Sequence, residues 1–135
     1  MYRDHTVLDT VKQGKRKKIR KFGEVFSSEP LVSLALGHLP AKLWTDPTVV
    51  FLEPTCGDGA IASSILERRK KAVGGAVALE TLFALELQEK NVLACRERLL
   101  ALVPGEPQAK RILNQHVRRG DRLKAKLDLS PFSHE

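Results

Sequence analysis

Thr48-Val49-Val50-Phe51-Leu52-Glu53, followed at once by Pro54-Thr55-Cys56-Gly57-Asp58-Gly59, decides the fold of this chain. The first six residues are β-branched and apolar and end in a carboxylate, the signature of a buried strand. The next six turn tightly, with two glycines that permit backbone angles and close approaches other residues resist. The stretch after the turn, from about Ala60 to Lys70, places Ile61, Ala62, Ile65 and Leu66 on one face of a helix. A strand, a glycine turn and a helix N-terminus together present backbone N–H groups to a negative group such as a carboxylate. Standing alone, a Gly-x-Gly also serves as a plain strand-to-helix connection.

The same alternation extends outward. Upstream, a helix is expected to start near Ser28, with Ser27 or Ser28 as cap, Glu29 at its positive end and Pro30 in the first turn. Residues 41–47 read as a loop. Downstream, Gly74-Gly75 breaks the chain, and a second strand covers about Thr81 to Leu87. A helix from about Glu89 to Leu102 follows, and Pro104-Gly105 and Pro107 end it. A third strand fits around His116 to Arg119, before Gly120-Asp121. The order helix–β–α–β–α–β predicts a parallel sheet flanked by helices, an α/β fold. Such sheets bind ligands at the carboxyl ends of their strands, where the glycine turn, Glu86 and Asp121 fall. Taken one at a time, Glu53 and Glu86 read equally as solvated strand-end acids, and Asp121 as a turn or cap residue.

The 135 residues suffice for one domain, and 42% hydrophobic with 29% charged residues is ordinary for a globular protein. No apolar run reaches the length of a membrane span. The charged N-terminus does not resemble a secretory signal. Cys56 and Cys95 therefore read as reduced thiols of a cytoplasmic protein. The four histidines show no metal-ligand spacing, so no metal is expected. The net charge of +7 is concentrated: residues 1–22 carry eight bases and two acids, a balance of +6. The chain thus divides into a basic flexible arm, 1–22, and a globular domain, 23–135. Lys15, Arg16, Lys17, Lys18, Arg20 and Lys21 suit contacts with DNA phosphates, against the plainer reading of a solvated tail.

Several motifs carry a family resemblance. Phe51 to Gly59 resembles the first motif of DNA adenine-N6 methyltransferases, D-P-A-C-G-x-G. Lys21-Phe22-Gly23-Glu24-Val25-Phe26-Ser27-Ser28-Glu29-Pro30-Leu31-Val32 is similar to their G-x-x-F-T-P-x-x-L-V. Leu85-Glu86-Leu87-Gln88-Glu89-Lys90-Asn91-Val92 resembles the acidic second-strand motif, and Gly120-Asp121-Arg122-Leu123 matches G-D-x-L. The four stand in the family's order and span most of the chain. The resemblance implies a Rossmann-like domain that binds S-adenosylmethionine (SAM). It gives Gly57 and Gly59, beside Pro54, to the methionine part and Glu53 to its ammonium. Glu86, next to Leu87, goes to the ribose hydroxyls, and Asp121, next to Arg122, to the adenine amine. Phe26 would pack near the cofactor, with Ser27 bonding its carboxylate. Cys56 falls where the family also has a cysteine and reads as a small packing residue, not a nucleophile.

The resemblance stops before the family's N-P-P-Y tetrapeptide, which holds the flipped adenine. Ser130-Pro131-Phe132 is the nearest approach and a weak catalytic candidate. A fragment, one chain of a split enzyme, and a small SAM binder without transferase activity all fit that gap. The sheet is accordingly expected to be incomplete, with an exposed edge open to a complementing methyltransferase chain or to self-association. The leading expectation is methyl transfer to DNA adenine with the missing part supplied elsewhere. The alternatives are a non-catalytic SAM-binding, DNA-associated module acting on restriction–modification machinery, and a non-functional remnant.

Overall fold

A computed structural model describes residues 29–54 and 56–121. In chain order the elements are α1 (Glu29–Gly37), α2 (Ala41–Thr45), β1 (Phe51–Glu53), α3 (Ala60–Val73), α4 (Gly75–Glu80), β2 (Leu82–Glu86), α5 (Glu89–Leu100), α6 (Ala109–His116) and β3 (Val117–Arg119). The fold is mixed α/β. Its sheet has three strands among the described residues, all parallel, in the order β1-β2-β3.

The register fixes which residues share a face. Phe51 pairs with Leu82, Glu53 with Ala84, Ala84 with Val117, and Glu86 with Arg119. Side chains alternate along a strand, so Phe51, Glu53, Leu82, Ala84, Glu86 and Val117 lie on one face. The apolar members of that set pack with Leu66 of α3, Val92, Cys95 and Leu99 of α5, and Ile112 and Leu113 of α6. Leu66 and Leu99 are wholly buried, each contributing about 2 kcal/mol of transfer free energy. On the other face Phe83 stacks on His116, ring centroids 4.0 Å apart. β2 is buried along its whole length, the pattern of a central parallel strand.

The helix boundaries differ from the sequence expectations in four places, each for a local reason. Residues 41–45 form α2, where a loop was expected. Pro40 precedes its first turn, and a proline there costs no hydrogen bond. α3 runs to Val73, three residues further than expected, and stops at Gly74, whose φ of +91° no helix tolerates. Gly75 does not prolong the break. It opens α4, whose Ala78 and Leu79 are buried. α6 occupies a stretch with no expected element. Its buried Ala109, Ile112, Leu113 and His116 recur at helical spacing. His116 closes that helix instead of opening the strand. β1 is also shorter than expected, beginning at Phe51.

One buried cation organises the approach to the sheet. Arg69 of α3 is 1% exposed. Its Nη1 donates to the carbonyls of Leu43, Trp44 and Asp46 at 3.1, 2.8 and 2.9 Å. Its Nη2 donates to the Val49 carbonyl at 3.1 Å and to Thr81 Oγ1 at 3.2 Å. The guanidinium carbon also lies 5.2 Å from the Phe51 ring centroid. Four carbonyls of residues 43–49, outside the strand ladder, thus converge on this one side chain. No helix among the described residues is long and apolar enough to cross a membrane.

Candidate functional site

The carboxyl ends of the three strands meet through β2. Past the end of β1, the Cys56 N–H donates to the Leu85 carbonyl at 2.9 Å, and past the end of β3, the Gly120 N–H donates to the Glu86 carbonyl at 2.9 Å. Consecutive carbonyls of one strand point to opposite sides. The last two residues of β2 therefore hold the glycine turn on one side and the Gly120-Asp121 loop on the other. Glu53, the glycine turn, Glu86 and Asp121 are thus collected on one edge of the sheet.

The turn needs its glycines for stated reasons. Gly57 and Gly59 have φ of +54° and +97°, the left-handed region that side chains resist. A Cβ on Gly59 would also lie 3.1 Å from Cys95 Sγ and 3.3 Å from its Cα. The Gly59 N–H closes the turn onto the Cys56 carbonyl at 2.8 Å, and the Gly59 carbonyl starts α3 by accepting from Ser63 at 2.7 Å. No side chain caps this helix, so its first turn keeps the open N–H groups that favour an anion.

Both strand-end glutamates are buried, Glu53 at 6% and Glu86 at 8% exposed. That removes the reading of them as solvated acids. Burial of a carboxylate is unfavourable unless it is bonded. Glu86 Oε2 accepts from the Gln88 backbone N–H at 2.6 Å and from Asn91 Nδ2 at 3.4 Å. The Oε1 oxygen takes no donor among the described residues. Leu87 next door is half exposed. Its carbonyl accepts from Arg119 Nε at 3.2 Å, and Arg119 Nη1 stands 3.9 Å from Glu89 Oε2. Asp121 is partly buried beside Gly120. In the turn itself, Asp58 Oδ1 is out of solvent with no hydrogen-bond partner, and its nearest cation, Arg98 Nη1, is 3.6 Å away.

Cys56 sits beneath this edge, 5% exposed. A hydrogen bond with Cys95, burial, and the negative charges of Glu86 and Glu53 all push its thiol up, far from thiolate formation at neutral pH. A protonated thiol is a poor nucleophile, in keeping with a packing role.

Glu53, Pro54, Gly57, Gly59, Glu86, Leu87 and Asp121 are therefore brought to one edge. Phe26, Ser27, Arg122, the weak catalytic candidates Ser130, Pro131 and Phe132, and the basic residues Lys15, Arg16, Lys17, Lys18, Arg20 and Lys21 lie outside the described residues. Sequence reasoning passed over Asp58, Gln88, Asn91 and Arg119. An asparagine or arginine near a helix start or strand end carries no spacing signal of its own. Only the fold shows Asn91 reaching back to Glu86. Among the described residues no group of three or more His, Cys, Asp or Glu is placed to hold a metal ion.

An Asp58 carboxylate in the turn paired with Arg98, a Glu86 whose protein donors both fall on Oε2, and an uncapped helix start are chemically suited to a ligand with hydroxyl or amine donors and a carboxylate. Compared with protein-family models, with curated proteins and with solved structures, the chain matches none.

Proposed function

We propose that this chain binds SAM as the cofactor part of a cytoplasmic, Rossmann-like DNA adenine-N6 methyltransferase, with methyl transfer to adenine completed by a catalytic part supplied elsewhere. The observation that carries the proposal is the tethering of the glycine turn and the Gly120-Asp121 loop to Leu85 and Glu86. It gathers in one place the residues that the family resemblance assigns to the cofactor. In this reading Gly57 and Gly59, beside Pro54, admit the methionine part to the start of α3. Glu53 accepts from the ammonium. Glu86, preset by Gln88 and Asn91, accepts from the ribose hydroxyls beside Leu87, as carboxylates at this position do in dinucleotide folds. Asp121, followed by Arg122, accepts from the adenine amine, Phe26 packs near the cofactor, and Ser27 bonds its carboxylate. SAM supplies an activated methyl group. The chain's part is to orient it, since transfer depends on alignment with the target amine. The basic segment from Lys15 to Lys21 holds DNA by its phosphates.

A second reading is favoured by one feature of the sequence. No N-P-P-Y tetrapeptide is present, and Ser130-Pro131-Phe132 offers only a hydroxyl, one prolyl carbonyl and a ring. The chain then acts as a SAM-binding, DNA-associated module without transfer of its own.

Calorimetric titration of the chain with SAM and with its demethylated product tests the shared premise, and binding to both is expected. No heat of binding at millimolar SAM overturns it. Tritium transfer from labelled SAM to duplex DNA separates the two readings. Incorporation only after addition of a complementing catalytic chain supports the first. Incorporation by the chain alone, lost in Phe132→Ala, replaces both with a self-sufficient enzyme.

A further inference from the structure

The turn between β2 and α5 carries an exposed leucine on an anchored backbone. Leu87 is 56% exposed, yet the three carbonyls of residues 86–88 are all held. The Glu86 carbonyl accepts from the Gly120 N–H at 2.9 Å, and the Gln88 carbonyl accepts from the Asn91 and Val92 N–H groups, each at 3.1 Å. The Leu87 carbonyl accepts from Arg119 Nε at 3.2 Å, the one of the three that a side chain holds. Arg119 is the last residue of β3 and pairs with Glu86 in the register. Its Nη1 lies 3.9 Å from Oε2 of Glu89, the first residue of α5, and both side chains are largely exposed. A cation at the start of a helix opposes the helix dipole, and an exposed ion pair contributes little. Neither effect accounts for an arginine here, whereas the bond to the Leu87 carbonyl does. A tied turn that presents a leucine to solvent, on the edge that collects Glu86 and Asp121, is a ready apolar contact for a flat ring.

We propose that Arg119 is a positioning residue for the nucleoside end of a bound cofactor: through the Leu87 carbonyl it fixes Leu87 as an apolar rest for the adenine ring, beside the Gly120-Asp121 loop. This role rests on the reading of the edge as a SAM site, and it belongs to a residue to which that reading gives no part. A ring face laid on Leu87 takes apolar area of both out of water. A mobile leucine loses some of that stabilisation to ordering, and an anchored one does not. Arg119 therefore acts before the ligand arrives. It ties the end of β3 to the turn after β2, next to the bond between Gly120 and Glu86. The ribose acceptor Glu86, the rest at Leu87 and the amine acceptor Asp121 then keep a fixed spacing. Arg119 itself touches no ligand in this arrangement, and its effect reaches the ligand through Leu87.

The test is calorimetric titration of the full chain with two probes, SAM and 5′-methylthioadenosine, which keeps the adenine and ribose and lacks the amino-acid part. Arg119→Ala should weaken both by the same factor, about three- to tenfold, the scale of one hydrogen bond. Arg119→Met keeps the aliphatic stem, loses the donor and should match it. Glu89→Gln breaks the exposed ion pair and keeps the bond to Leu87, so both affinities should stay within about twofold of the parent. Leu87→Ala removes the rest itself. Adding Arg119→Ala to Leu87→Ala should cost less than about twofold, because no side chain remains to be placed. An arginine that only supports the fold costs the same factor in both backgrounds. Equal affinities in Arg119→Ala and the parent, a loss with SAM but not with methylthioadenosine, or an equal loss with and without the Leu87 side chain overturns this role. The cofactor reading fails separately. It falls, and takes this role with it, if the parent chain binds neither probe. It stands if the parent binds both and Arg119→Ala binds them equally well, and then the role of Arg119 alone is overturned.

Discussion

Asn91 reaches back from the first turns of α5 to place its Nδ2 3.4 Å from Glu86 Oε2, so the residue that ends β2 is held by the helix that β2 feeds. The Gln88 backbone N–H reaches the same oxygen at 2.6 Å. Both of these protein donors fall on one carboxylate oxygen, Oε2. Strand, turn and helix thus act together on a single group.

Glu86→Ala should weaken SAM binding by about 1.5–3 kcal/mol, the range for a hydrogen bond to a charged group, or roughly ten- to a hundredfold in affinity. Asn91→Ala keeps the carboxylate and loses only its side-chain tether. A smaller loss of about 0.5–1.5 kcal/mol is expected. Calorimetry on both variants measures the order, and equal affinity in Glu86→Ala and the parent chain contradicts the assignment.

Gly59→Ala should destabilise the fold by about 1–3 kcal/mol, since alanine is strained at positive φ and its Cβ meets Cys95. Adding Cys95→Ala removes the sulfur but not the close Cα, so recovery should be partial. Gly105 has neither a positive φ nor a neighbour within 4 Å of a Cβ, and Gly105→Ala should stay within about 0.5 kcal/mol of the parent. Urea midpoints of the four proteins give the comparison.

These contrasts mark where the sequence is readable. β2 and the glycine turn are legible because strand composition, glycine and helix start agree over a short stretch. Leu82 to Glu86 falls within one residue at each end of the expected span. α6 is hidden by its surroundings: Pro104, Gly105 and Pro107 announce a loop, and the loop ends sooner than they imply. Gly74 and Gly75 look alike in sequence, but only Gly74 takes a positive φ. Of the candidate site, the glycines and strand-end acids follow from position along the chain. The roles of Asn91 and Asp58 depend on which side chains the fold brings within reach, and no spacing rule encodes that.

His116 gives the stability a pH dependence with a definite sign. Burial lowers its pKa below the ordinary 6.5, against the opposing pull of hydrogen bonds to the Leu79 and Leu82 carbonyls, at 3.2 and 3.1 Å from Nδ1. Arg118 also lowers it, and Glu80 raises it. The unfolded chain therefore takes up a proton that the folded one refuses. The contribution of His116 is full above pH 6.5 and falls as the pH drops from there toward the depressed folded value. Urea unfolding just below pH 6.5 should show stability falling with acidification, and His116→Asn, which retains a donor for the carbonyls, should flatten that slope. An unchanged slope would assign the effect to other groups.

The basic segment makes a prediction read in salt. If Lys15, Arg16, Lys17 and Lys18 neutralise DNA phosphates, the logarithm of affinity for duplex DNA falls with log salt at about −0.9 per phosphate contact. Changing all four to alanine should reduce that slope by up to about 3.6 and leave SAM affinity unchanged. A slope equal to that of the parent chain makes the segment a solvated tail.

The grip of Arg69 has a consequence for the order in which the chain is made. The carbonyls of Leu43, Trp44, Asp46 and Val49 are synthesised well before the guanidinium that satisfies them, and Thr81, which completes the cluster, is made later still. An emerging chain that stops short of residue 69 has the segment leading into β1 with its local hydrogen bonds but without the guanidinium that ties it to α3. β2, the pairing partner of the first strand, begins one residue past Thr81. Synthesis therefore delivers the four carbonyls first and the side chain that gathers them some twenty residues later, with Thr81 last of all.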